Sequence, residues 1–141
     1  MIDASKDLIV SALIAPAALS EDNTPAAVDV FGARDATILL CIGVGGITFT
    51  SANKVEFVLT HSDDNSTYAN VTAADLVGVD TVTNGIVKSL TAAHATADVT
   101  KIGYVGGKRY IKLLADFSGT HGTATPMAAY VVQADAYKKP V

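Results

Sequence analysis

Hydrophobic and polar positions alternate with a period of two in several separated segments of the chain. Lys54-Val55-Glu56-Phe57-Val58-Leu59 predicts a strand with Val55, Phe57 and Leu59 inward and Lys54, Glu56 and Val58 outward. In Arg109 to Leu114, Ile111 and Leu113 share a face with Arg109, while Tyr110 shares the other with Lys112. Thr100 to Val105, Lys108 to Phe117 and Met127 to Ala134 complete a set of three later strands, with Val132 assigned to the core. Ala27 to Phe31 reads as a short strand and Gly32 to Asp35 as a turn. Ala36 to Val44 is continuously apolar, the pattern of a strand central in its sheet. Gly45-Gly46 is a flexible link, and Gly106-Gly107 between two strand patterns predicts a two-residue hairpin. Tyr68 to Val71 is the expected return strand from Lys54–Leu59, which makes residues 61–67 their loop. Ala73 to Val77 suits a helical turn, and residues 78–98 a strand plus a long loop.

Six to eight short strands punctuated by Gly, Asn and Asp predict an all-β fold, a single β-sandwich or jelly-roll-like barrel over residues 26–141. Residues 1–25 differ from the rest and are expected to form an N-terminal arm, either a short helix or extended. Leu8, Ile9, Val10, Leu13, Ile14 and Leu19 are an apolar set too large to leave in water, cut by Pro16 and joined to the sandwich by the polar stretch SEDNTP. The set can fold back on its own sheet or lie on a neighbouring subunit. The second role is the one expected, so that a chain lacking residues 1–20 would fold without assembling.

Composition sharpens this picture. The 141 residues suffice for one domain's core without staples. There are 23 Ala, 16 Val and 15 Thr, and 12 of the 14 acids are Asp, a bias towards strands and turns over helices. Charged residues are 17% against an average of about 25%, the low charge of surfaces packed against other subunits. No apolar run reaches the roughly 18 residues of a membrane-spanning helix. The acidic MIDASKD start is not expected to act as a secretory signal. A net charge of −4 with scattered basic residues argues against nucleic acid as a partner. The single cysteine, Cys41, is expected as a buried free thiol.

Candidate chemistry is sparse. The stretch LTHSDDNSTY, residues 59–68, gathers a histidine, two acids and four Ser or Thr hydroxyl groups. Adjacent Asp63 and Asp64 lack the alternating ligands of a calcium loop, and contiguous residues cannot converge as a Ser62, His61, Asp63 triad. A hairpin loop closed by Asx-turns is the expectation. His61, His94 and His121 lack ligand spacing and are expected in exposed loops, so no metal, cofactor or catalytic residue is assigned. The Gly43 to Gly46 and Gly103 to Lys108 runs fit neither a Walker loop nor a dinucleotide loop. Lys108, Arg109 and Lys112 with Tyr104 and Tyr110 form the one basic-aromatic cluster, expected at a sheet edge or subunit contact.

Val55-Glu56-Phe57-x-Leu59 runs into Ser62-Asp63-Asp64-x-x-x-Tyr68-x-x-Val71, followed by Ile102-Gly103-Tyr104-Val105-Gly106-Gly107-Lys108-Arg109-Tyr110-Ile111-Lys112, the strand Ala129 to Ala134, and Pro140. Over roughly residues 54–140 this resembles small β-rich virion proteins of tailed bacteriophages, similar to head decoration, or cement, proteins. The resemblance implies a non-enzymatic protein on the outside of the capsid, made in the host bacterial cytoplasm. Its partners would be the major capsid protein and further copies of itself, a trimer favoured over a dimer. Leu8, Ile9, Val10, Leu13, Ile14, Tyr104, Arg109 and Tyr110 are the candidate interaction residues. A tail-tube or head–tail connector subunit and a carbohydrate-binding β-sandwich module are the alternatives.

Overall fold

The computed structural model describes residues 5–135, and Pro140, with the start and end of the chain, lies outside them. The described residues form ten strands: β1 (Leu8–Leu19), β2 (Val28–Asp29), β3 (Ala33–Ile42), β4 (Lys54–Ser62), β5 (Ala69–Asn70), β6 (Leu76–Val77), β7 (Ile86–Leu90), β8 (Asp98–Tyr104), β9 (Tyr110–Ser118) and β10 (Thr125–Asp135). One 3-10 turn covers Ala73–Asp75, and no α-helix occurs among them. The front sheet runs β1-β10-β3-β8-β6; the back sheet runs β2-β9-β4, with β5 and β7 both on the far edge of β4. All pairings are antiparallel, and the two sheets pack face to face as a β-sandwich.

The alternating segments bury the residues they should. Val55, Phe57 and Leu59 on β4 and Ile111 and Leu113 on β9 are fully buried, facing Ile38, Leu40 and Ile42 on β3 and Ile102 on β8. Val132 is a correction. Val131 and Gln133 point inward and Val132 lies half-exposed on the outer face. The run Ala128 to Val132 is apolar at every position, so alternation alone cannot tell its inner face from its outer one.

The N-terminal segment is also corrected. Its described part is β1, twelve residues paired with β10 at the edge of the front sheet, and Leu13 and Ile14 are 1% and 3% exposed in the shared core. The chain therefore does not divide at residue 25. Consecutive Leu13 and Ile14 both point inward because the register with β10 shifts between Ala12 and Ile14 and again before Ala17. Pro16 sits in that second irregularity, on an edge strand, where the missing N–H breaks no ladder.

The polar stretch after β1 is a clamp rather than a hinge. Asn23 Nδ2 donates to the Leu113 carbonyl at 3.2 Å, and its Oδ1 accepts from the Ala115 N–H at 2.7 Å. Asp22 Oδ1 accepts from the Phe117 N–H at 2.7 Å. These side chains satisfy the part of the β9 edge that two-residue β2 is too short to cover.

Apart from β4–β5, each connection carries the chain from one sheet to the other. Gly106-Gly107 is accordingly not a hairpin: β8 pairs with β3 and β6, whereas β9 pairs with β4 and β2. The glycines serve the crossing instead. A Cβ at Gly106 would stand 2.8 Å from the Tyr104 ring. Gly107 takes a φ of 73°.

Candidate interaction surface

Side chains on the outer face of the front sheet follow from strand alternation. They include Leu8 and Val10 on β1, Tyr130 and Val132 on β10, Leu39 and Cys41 on β3, Val99 on β8 and Val77 on β6, alongside the polar Asp35 and Thr37 on β3 and Lys101 on β8. Val10, Val99 and Val77 are 61%, 65% and 60% exposed. The continuous apolar run Ile38 to Ile42 thus supplies both faces of a central strand, core on one side and this surface on the other. Such runs belong to strands covered on both faces, and here only one is covered by the chain itself. Cys41 is half-exposed on this face, which corrects its expected burial.

Two concavities open at opposite ends of the same face. One, of about 780 Å³, is bounded by Phe31, Arg34, Asp35, Val77, Val105 and Lys108, with bare Gly103 forming part of its floor. The other lies between Pro16, Cys41, Val99 and Pro126. At the rim of the larger groove, Arg109 donates to both carboxylate oxygens of Asp29, Nη2 to Oδ2 at 2.9 Å. Its guanidinium stacks over the rings of Phe31 and Tyr110, each at 5.1 Å. Lys108 pairs with Asp63 at 3.2 Å.

Of the candidate residues, Leu8, Val10 and Arg109 are exposed and Ile9 and Tyr110 are intermediate. Leu13, Ile14 and Tyr104 are buried in the chain's own core and cannot contact a partner. Tyr104 points between the sheets, its hydroxyl 2.9 Å from His61 Nδ1 and accepting from the Lys108 N–H at 3.2 Å. His61 is the second misplaced residue. It lies within β4, 5% exposed, instead of in a loop. Burial lowers its pKa from 6.5, and Lys108 adds to the shift while Asp75 opposes it. The sequence reading missed Leu39, Tyr130, Val99 and Val77 as surface residues; the apolar positions alternating with Ile38, Leu40 and Ile42 were the available signal.

Residues 63–68 form a hairpin loop closed by Asx-turns, with β4 extending further than expected, to Ser62. Asp64 Oδ1 accepts from the Ser66 and Thr67 N–H groups, each at 2.9 Å, and from Ser62 Oγ at 2.9 Å. These donors hold the Asp64 carboxyl below its ordinary range. Tyr68 donates to Asn65, which adopts a φ of 58°. His94 and His121 are half-buried in loops, and among the described residues no three His, Cys, Asp or Glu side chains converge as metal ligands. No family model matches the chain, and no curated protein or solved structure is significantly similar to it.

Proposed function

We propose that this chain is a structural virion protein of a tailed bacteriophage, a decoration or cement protein that binds the outside of the head as a symmetric oligomer. The observation that carries this reading is the apolar outer face of the front sheet, on a protein with few charges. An exposed apolar patch spanning a whole sheet marks a surface that works covered. A ligand that binds only the expanded capsid lattice stabilises that lattice by mass action, and many symmetric copies multiply a modest contact. The rigid sandwich and its clamped first strand suit such a load.

The test is to add the purified chain to expanded and unexpanded heads of the phage that encodes it and to sediment the mixtures. Saturable binding to expanded heads, with a higher temperature of DNA release, is expected. Binding to tails, or to no virion part, would refute the proposal. One observation favours a second reading, a carbohydrate-binding module: the groove beside the exposed Phe31 ring and the paired Arg109 and Asp29 groups. Glycan-dependent binding abolished by Phe31→Ala would favour that module over the capsid.

A further inference from the structure

We propose that a second copy of this chain covers the outer face of the front sheet, in a two-fold pair where Asp35 of each copy meets Lys101 of the other. This rests on the reading above only in taking the face as an assembly surface, and needs no capsid.

Charge selects the occupant. Arg34, the extra residue where β3 shifts register against β10, is exposed beside Asp35; apart from it, the charged residues that β1, β3, β6, β8 and β10 direct outward are Asp35 and Lys101. Both are exposed, and neither makes an ion pair or hydrogen bond with the described residues. A covering surface that left either charge unpaired would incur a large desolvation penalty. The occupant must therefore set an anion over Lys101 and a cation over Asp35. The same face, turned over, does so twice.

Geometry permits it. Lys101 pairs with Leu39, so Asp35 lies four residues along β3 and one strand across from it. That separates them by roughly 13 Å along the strands and 5 Å across. A two-fold axis lying in the interface, perpendicular to that line, passes beside Thr37 and Gly103, small residues that allow close approach. The strands of the two copies then cross at about 40°. The Tyr130 rings fall over Val10 and Val132 of the other copy.

The four long strands present a face about 19 Å by 30 Å, and at this crossing two copies overlap over roughly 450 Å² each, about 900 Å² in all, the low end for a specific interface. Such a self-complementary patch closes as a two-fold pair, whereas the sequence reading favoured a trimer.

Sedimentation of the full chain across a concentration series tests this. The wild type should be dimeric, while Asp35→Lys alone and Lys101→Asp alone should each weaken pairing at least about tenfold. Both changes in one chain, or a mixture of the two single variants, should restore it. Asp35→Asn and Lys101→Gln, which add no repulsion, should lie between. Circular dichroism confirms that each variant is folded. A wild type still monomeric at about 100 µM, or a combined variant no better than the single ones, overturns the proposal. A monomer that binds heads would leave the capsid reading standing alone, and a charge-dependent dimer that ignores heads would do the reverse.

Discussion

At the scale of single residues, the interior is set by ordinary packing and the exceptions are polar. Phe57 is fully buried, and Phe57→Ala should destabilise the chain by about 3–5 kcal/mol in denaturant unfolding. Asn23→Ala leaves the Ala115 N–H without its partner and should cost about 1–3 kcal/mol, an effect no surface polar residue would show. His61 gives stability a pH dependence. Its folded pKa lies below the unfolded value of 6.5, so the native state binds fewer protons, and stability present above pH 6.5 is lost as pH falls through that value towards the folded one. The thermal midpoint should decline over that range, and His61→Gln should flatten the decline. Asp116 behaves oppositely: burial, then Asp22 and Glu56, raise its pKa, so acidification through the folded value relieves it. Asp116→Asn should therefore raise the melting temperature at neutral pH, with the gain vanishing in acid.

At the scale of elements, β1 is where structure and sequence reading part most usefully. Deleting residues 1–20 strips β10 of its edge partner and removes Leu13 and Ile14 from the core, so the truncated chain should unfold or aggregate when its far-ultraviolet dichroism and light scattering are measured. A soluble, folded product would show that β1 is the arm that the sequence suggested. The strands β4 and β9 were legible because each has one polar and one apolar face. Runs that are apolar on both faces, Ile38 to Ile42 and Ala128 to Val132, disclosed a strand but not its register, and so hid the outer surface. The glycine pair at 106–107 misled because hairpin chemistry and a crossing between sheets demand the same conformational freedom. Nothing local distinguishes them; which strands pair is decided by contacts far apart in sequence. His61 was misplaced for a related reason, since β4 continues two residues into a segment whose composition reads as loop.

At the scale of the whole molecule, the sandwich is lopsided: a back sheet edged by clamps and short strands, and a front sheet whose outer face is largely apolar, interrupted by Asp35, Thr37 and Lys101. The account stands on that face being covered when the protein works. Cys41, the sole cysteine, lies on it beside Val99 and reports its state without any mutation. The rate at which a maleimide labels Cys41 should be that of an accessible thiol in dilute solution. In the assembled form, whether concentrated dimer or chain bound to heads, it should fall at least about tenfold, since opening must then precede reaction. Equal rates in the dilute and assembled states would mean that the front face stays open to water, contradicting the account at its centre.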